Sequence, residues 1–471
     1  MHVVDEAFRE YDIRGIVDKE INEHFAFMLG KIFSAYIREK TNKQEITVSM
    51  GYDVRLSSKS LAQSLIKGFN TQGVKVINVG LVPTPLLYFS LFKLPVDGGI
   101  MITASHNPPQ YNGFKMCLNK TTLYGQEIQE VKELMKRDKT KSYSEEVTNP
   151  IYEEYNIIKD YKAYILNQFA YLKSYSKKPK LVLDAGNGCG GFVAYPLIKD
   201  LGFEVEGLYI EPDGNFPNHH PDPTKEENLK DMKKLIKEKN YDLGIGFDGD
   251  GDRVGVVLKD VRTMLGDRLM LLFSEYILKE KPENPTIIAD VKCSNILFDK
   301  IREFGGKAIM WKTGHSLIKE KLYEENAVFA GEMSGHYFFN DRYFGYDDAI
   351  YGALRLLEII TKNNLNLVEW MDSLPMVFST PEIRMECPEE RKREIASKIC
   401  DYFKQKAEEY KIKEIITIDG IRFKTENGWA LVRASNTQAE LVLRFEAKDE
   451  DCLKKLMNIV QNKIEELLKK E

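Results

Sequence analysis

The stretch ITVSMGYDVRLSS, Ile46–Ser58, decides the fold class: an apolar run stops at Asp53 and enters a small, polar loop. The same event recurs in LVLDAGNG, Leu181–Gly188, ending at Asp184, and in TIIADVKCSN, Thr286–Asn295, ending at Asp290. A strand that ends in such a loop and passes into an amphipathic helix is the building step of α/β layers, and functional loops gather at the carboxyl ends of the strands. The recurrences are roughly a hundred residues or more apart, so they predict three α/β domains of similar design, not a solenoid.

The tail reads differently. EIITIDGIRF and WALVRASNTQAELVLRFEA have the pattern of short sheet strands, followed by a helix with Leu453, Leu456, Met457, Val460, Ile464 and Leu467 on one face. This predicts a C-terminal α+β domain. Polar and proline-containing breaks set the expected segments at 1–149, 150–260, 261–374 and 375–471, with Leu374–Pro381 as a hinge. A chain of 471 residues has room for such a division at roughly 100–200 residues per domain.

Composition narrows the class. The chain is 43% hydrophobic and 30% charged, which suits a globular protein and leaves little room for long disorder. The 67 basic and 72 acidic residues are interspersed, giving a net charge of −5, so no basic face for nucleic acid and no polybasic membrane patch is expected. Six scattered cysteines without a CxxC pair argue against a disulfide or thiolate–metal scaffold. With neither a signal-peptide pattern nor a long apolar run, these features predict a cytoplasmic setting.

Four constellations carry chemistry. TASHNPPQYNGFK, Thr103–Lys115, surrounds Ser105 with Thr103, His106, Asn107 and, back across an expected hairpin, Lys115. Taken alone, Ser-His-Asn-Pro reads equally well as an ordinary turn. GIGFDGDGDRVGVV, Gly244–Val257, alternates Asp248, Asp250 and Asp252 with glycines, so three carboxylates can converge on one hard cation. An EF-hand is excluded: Arg253 replaces the position-six glycine, Lys259 replaces the position-twelve glutamate, and strand-like runs flank the loop.

The third constellation pairs KTGHSLIKEKL, with Lys312 and His315, with GEMSGHYFF, in which Glu332, Ser334 and His336 alternate. Alternation predicts one face of an extended segment, suited to reading sugar hydroxyls. The fourth, RASNTQAELVLR, offers Arg433, Ser435, Asn436 and Thr437 to a phosphate dianion, although such a turn is more often structural.

Together with FREYDIRG (Phe8–Gly15), VPTP (Val82–Pro85), DVKCSN and WKTGHSLIK, these motifs resemble the α-D-phosphohexomutase superfamily, most closely the bacterial phosphomannomutase/phosphoglucomutase enzymes, along the whole chain and in the expected order. The resemblance implies four domains around a central cleft, with Ser105 as a phosphoserine. It implies Mg²⁺ held by Ser105, Asp248, Asp250 and Asp252, and a hexose 1,6-bisphosphate activator. Glu332 and Ser334 would read the sugar, and Arg433, Ser435, Asn436 and Thr437 would hold the non-reacting phosphate. Tyr11, Arg14, Lys115, Arg253, Lys292, His315 and His336 match cleft positions, with His336, Lys115 and Arg14 as candidate bases and His315 in support. The partners implied are hexose phosphates, with the chain a monomer or weak dimer.

One departure stands out. Where many relatives carry a proline after the final SNT, this chain has Gln438–Glu440. Three competing readings are a phosphoglucosamine mutase, a non-catalytic sugar-phosphate-binding protein and a phosphatase. Relatives acting on glucosamine phosphate tend to read GEQSGH, and Met333 here favours mannose and glucose phosphates.

Overall fold

The computed structural model describes residues 4–137, 151–281, 283–436 and 438–469. The first segment limit, at 149/150, and Thr437 lie outside the described residues.

The first sheet contains β1 (Ile13–Ile16), β2 (Thr47–Tyr52), β3 (Lys75–Leu81), β4 (Gly98–Ile102), β5 (Tyr111–Leu118), β6 (Thr121–Thr122) and β7 (Tyr152–Glu154), in the order β1-β5-β4-β2-β3-β7 with β6 against β5. Its centre is parallel, β2 pairing with β3 and β4, while β4 and β5 form an antiparallel hairpin that sets Met101 opposite Lys115. On the other side β5 pairs with β1, placing Arg14 opposite Gly113. The Thr103–Gln110 loop therefore leaves the carboxyl end of a central strand beside Arg14.

The second sheet, β12-β11-β10-β8-β9, uses β8 (Leu181–Asp184), β9 (Val205–Leu208), β10 (Leu243–Phe247), β11 (Val254–Leu258) and β12 (Thr263–Met264). The third, β14-β13-β15-β16, uses β13 (Thr286–Asp290), β14 (Lys307–Trp311), β15 (Phe329–Gly331) and β16 (Tyr337–Phe339). The fourth is antiparallel throughout: β17 (Phe378–Ser379), β18 (Ile383–Glu386), β19 (Glu414–Ile416), β20 (Ile421–Lys424), β21 (Gly428–Ala434) and β22 (Glu440–Ala447), backed by helices Lys392–Gln405 and Glu450–Lys469. Three mixed α/β units and a C-terminal α+β unit are the architecture. Two short strands overrun the expected segment limits, β7 joining the first sheet and β12 the second.

One continuous apolar core runs from the helix Thr84–Lys93 of the first unit through the second and third units, whereas the fourth unit has a core of its own. The fourth is docked on the third by buried cations. Arg444 Nη2 lies 3.1 Å from Asp267 Oδ2, and Arg422 donates to the carbonyls of Val291 and Cys293 and to Asn295 Oδ1. The Arg422 guanidinium also lies 3.7 Å from the centre of the Trp429 ring, so a flat cation is both hydrogen-bonded and stacked.

A second polar joint ties the second unit to the third. Asp348 caps the helix Ala349–Asn363 by accepting from Tyr351 N at 2.8 Å, and its Oδ2 accepts from Tyr161 at 2.9 Å and Tyr343 at 2.8 Å. Burial pushes its carboxyl up from 3.8 to about 6, even though these hydrogen bonds act in the opposite direction. With a raised folded value, the stabilisation is complete below about pH 4 and is lost as pH rises through about 6. The wild-type Tm is therefore expected to fall relative to that of Asp348→Asn between pH 4 and 6, by the equivalent of about 3 kcal/mol. Thermal melts at matched ionic strength check this, and a pH-independent gap between the two proteins would contradict it.

Candidate active site

Ser105 is buried and has φ 48°, in the left-handed region that non-glycine residues rarely occupy. Its N–H donates to Thr103 Oγ1 at 2.9 Å, and Arg55 fixes the loop from beneath by donating to the carbonyls of Ser105, Asn107, Pro108 and Tyr111. Arg55 is in turn held by Asp53, whose Oδ2 lies 3.1 Å from Nε and whose Oδ1 accepts from the Arg55 backbone N–H at 3.0 Å. The strand-ending aspartate thus positions an arginine that positions the serine loop. His106 Nδ1 lies 3.1 Å from Ser105 Oγ, and burial, reinforced by Arg253 and Arg14, lowers its pKa well below the usual range.

Ser105 Oγ donates to Asp248 Oδ2 at 2.9 Å, across the boundary between the first two units. Asp248, Asp250 and Asp252 are fully buried on the turn between β10 and β11, each offering one carboxylate oxygen within 4.8 Å of the others. The turn is self-braced, since Asp252 N and Arg253 N both donate to Asp248 Oδ1 at 3.1 Å. A Cβ at Gly249 would lie 2.5 Å from Ser105 O, so only glycine lets the two loops come this close. Thr84 of VPTP docks the same turn, donating through its N–H to Asp250 O at 2.8 Å and through its hydroxyl to Asp250 Oδ2 at 2.5 Å.

Burial, then Asp252 and Asp250, pushes the Asp248 carboxyl well above the ordinary range. Asp250 Oδ1 is buried with no hydrogen-bond partner. Three converging carboxylates, a serine hydroxyl and an orphaned carboxylate oxygen make a donor set that fits a hard divalent cation such as Mg²⁺.

The hairpin predicted around Lys115 is present, and it aims the amine at this turn: Nζ lies 2.8 Å from Asp250 Oδ2 and 2.6 Å from Asp252 Oδ2. Burial acts to lower the Lys115 pKa, but the two aspartates outweigh it and hold the group as an ammonium. His336 approaches from the third unit, with Nε2 3.3 Å from Asp252 Oδ1 and Nδ1 2.9 Å from Glu332 Oε2. Burial lowers its pKa too, and Asp252 and Glu332 reverse the effect, raising it to about 9. Its neighbour His315, with ring centres 5.7 Å apart, is shifted well below its ordinary value by burial and by Lys319, Lys115 and His336.

The alternation expected for Glu332, Ser334 and His336 is corrected by the structure. Residues 332–336 form a tight turn between β15 and β16, closed by Glu332 N donating to His336 O at 2.9 Å, with Gly335 at φ 93°. The three side chains meet because the glycine reverses the chain: Ser334 Oγ lies 3.1 Å from His336 Nδ1. Glu332 Oε1 also accepts from Gly314 N at 2.7 Å, fastening the sugar-loop candidate to the His315 loop.

The opposite wall belongs to the third and fourth units. Lys292 pairs with Glu382 Oε2 at 3.2 Å and lies 3.6 Å from Asp290 Oδ2, while Arg433 Nε pairs with Asp419 Oδ2 at 2.8 Å. Asp419 Oδ2 also accepts from Thr313 N at 3.1 Å. Tyr11 donates to Thr313 O at 2.6 Å and accepts from Asn436 Nδ2, closing a ring of contacts from the first unit to the fourth. Ser435 Oγ accepts from Gln438 N at 3.2 Å. Arg14 donates to Asn107 at 2.6 Å and pairs with Asp12 at 2.5 Å, beside the serine loop. Arg55, Thr84, Asp419 and Glu382 shape the site without having been singled out from sequence. Arg55 and Thr84 stand inside the quoted GYDVRLSS and VPTP motifs, the signal that could have found them.

Comparisons with known proteins agree with this arrangement. Sequence profiles for "Phosphoglucomutase/phosphomannomutase" match four consecutive stretches: alpha/beta/alpha domain I at residues 5–142, domain II at 159–262, domain III at 265–378 and the C-terminal domain at 382–463. The phosphomannomutase/phosphoglucomutase of Pseudomonas syringae pv. tomato is 43% identical over 97% of this chain and 94% of its own. A phosphoglucomutase of Neisseria meningitidis serogroup A is 41% identical over 97% and 96%. The crystal structure of a phosphoglucomutase/phosphomannomutase family protein from Burkholderia thailandensis superposes with a TM-score of 0.88 at 38% identity, covering 99% of this chain and 98% of that one. With all four domains matched in order, the chain belongs to the phosphoglucomutase/phosphomannomutase family.

Proposed function

We propose that this chain interconverts the 1- and 6-phosphates of glucose and of mannose through a phosphoserine at Ser105. The observation that carries the reading is the contact of Ser105 Oγ with Asp248, inside a buried set of carboxylates, lysine and histidine drawn from three units. Phosphoryl transfer asks for alignment and charge neutralisation more than new covalent chemistry, and this set supplies both. Ser105, Asp248, Asp250 and Asp252 would hold Mg²⁺. When bound, the ion neutralises charge on the transferring group.

In the forward half-reaction the bond between Ser105 Oγ and phosphorus breaks as the free sugar hydroxyl bonds to phosphorus, giving a hexose 1,6-bisphosphate. The hydroxyl proton passes to the histidine pair, and the serine oxygen regains a proton. Lys115 is committed as an ammonium between two aspartates, Arg14 to Asp12 and Asn107, and His336 as an imidazolium between Asp252 and Glu332, so His315, kept neutral by burial and its cationic neighbours, takes the proton with the charged His336 beside it. The bisphosphate then turns end for end and returns its other phosphoryl group to Ser105. Lys292, Arg433, Ser435, Asn436 and Thr437 hold the phosphate that is not reacting, and Glu332 with Ser334 reads the sugar hydroxyls.

Turning requires the fourth unit to swing about the 374–381 connection, parting the Tyr11–Asn436 and Thr313–Asp419 contacts. Burial of Ser105 keeps water from the phosphoserine, which favours a mutase over a phosphatase. Met333 supports glucose and mannose phosphates over glucosamine phosphate. The setting proposed is the cytoplasm; no helix among the described residues is long and apolar enough to cross a membrane.

Ser105→Ala is expected to lose phosphoenzyme formation, read by intact-protein mass after incubation with glucose 1,6-bisphosphate, and to drop turnover by on the order of 10⁴-fold. Near-normal isomerisation by that variant would sink the phosphoserine. Asp250→Asn is expected to lower kcat by on the order of 10²–10³-fold and to weaken Mg²⁺ activation; an unchanged Mg²⁺ profile would remove Asp250 from the cation site. Small-angle scattering is expected to show compaction when the bisphosphate is added, and an unaltered radius of gyration would count against the swing.

A further inference from the structure

Beside the aspartate turn is a second cluster of ligating atoms, in which Asp252, His336 and Asp347 each offer one atom within 4.8 Å of the others, all three buried. The two carboxylates share a pattern. Lys319 Nζ takes Asp347 Oδ1 at 2.9 Å and Lys115 Nζ takes Asp252 Oδ2 at 2.6 Å, which leaves Asp347 Oδ2 and Asp252 Oδ1 buried without a hydrogen bond. Each of these oxygens faces an imidazole: Asp252 Oδ1 is 3.3 Å from His336 Nε2, and Asp347 Oδ2 is 3.6 Å from His315 Nδ1. His315 Nδ1 is itself buried and unpartnered.

We propose that Asp252, His336, Asp347 and His315 form a second binding site, for a Zn²⁺-class ion, that adjoins the three-aspartate site through the shared Asp252, and that its occupancy arrests the mutase. Two imidazoles and two carboxylates are the donors Zn²⁺ favours, whereas Mg²⁺ favours an all-oxygen, partly hydrated shell. The outer contacts have the right form as well. Glu332 Oε2, 2.9 Å from His336 Nδ1, orients that ring and leaves Nε2 toward the cluster, as carboxylates behind metal-binding histidines do. Arg253 Nε, which donates to His336 Nε2 at 3.3 Å, is displaced when the ion enters. Arrest rests on the activity proposed above, because the ion takes His336 and Asp252 away from the transferring group.

The test uses the full chain saturated with Mg²⁺, titrated with Zn²⁺ and separately with Co²⁺. The expected result is one equivalent of Zn²⁺ retained on dialysis against excess Mg²⁺, Co²⁺ d–d absorption of a nitrogen-ligated ion, and turnover that falls with occupancy and is not restored by more Mg²⁺. Asp347→Asn should weaken Zn²⁺ by about tenfold or more. Should that variant fail to fold, His336→Gln should weaken Co²⁺ binding by a similar factor and shift the remaining spectrum to that of an ion with one nitrogen ligand. No Zn²⁺ retained by Mg²⁺-saturated wild type, one-for-one displacement by Mg²⁺, or wild-type affinity in the folded variants would overturn the site. Zn²⁺ retention with no mutase activity under any condition would leave the site standing and remove the activity reading instead.

Discussion

Three aspartates fully buried within 4.8 Å of one another are the constraint on which the rest of the structure turns. Each buried carboxylate costs several kcal/mol in lost hydration, and neighbours of the same sign add to it. Such a set persists only where cations and donors are brought to it. Lys115 comes from the first unit, Arg253 from the turn itself and His336 from the third unit, so the charge problem is solved across domain boundaries. The site is therefore assembled by the same contacts that hold the units together.

That arrangement explains why the serine loop is built so rigidly. Ser105 is held at a strained φ by Arg55 on four carbonyls and by Gly249 against its own carbonyl, which fixes the oxygen beside Asp248. In the proposed reaction the phosphoryl donor has to be aligned beforehand, and backbone geometry supplies that more reliably than a mobile side chain. The contacts on the opposite wall are of another kind. Arg433 on Asp419 and Lys292 on Glu382 are the pairs that the proposed phosphate dianion would replace, whereas Arg422 and Arg444 are bonded to carbonyls and to Asp267 behind them. One side of the fourth unit is thus held by side-chain ion pairs and the other by bonds to backbone carbonyls and a fully buried aspartate.

Much of this was legible in the chain. The strand-to-loop transitions at Asp53, Asp184 and Asp290 gave the α/β units, because a hydrophobic run ending in an acidic, small-residue loop is local information. The alternating aspartates and the hairpin bringing Lys115 back to Ser105 were legible for the same reason. Glu332, Ser334 and His336 do meet, but not by the expected geometry, since sequence alternation does not reveal that Gly335 takes a positive φ and folds the segment into a turn. Asp347 and Asp419 carry no local signature; their place depends on which units pack together, and only the tertiary fold shows it. Arg55 lay within a quoted motif, yet its four carbonyl partners are some fifty residues away in the chain.

The most direct measurement is ³¹P NMR of the purified protein with Mg²⁺, a trace of glucose 1,6-bisphosphate and equal amounts of glucose, mannose and glucosamine 1-phosphates. The account predicts that glucose 6-phosphate and mannose 6-phosphate appear together while glucosamine 1-phosphate persists. Release of inorganic phosphate alone, or conversion of the glucosamine phosphate alone, would contradict it.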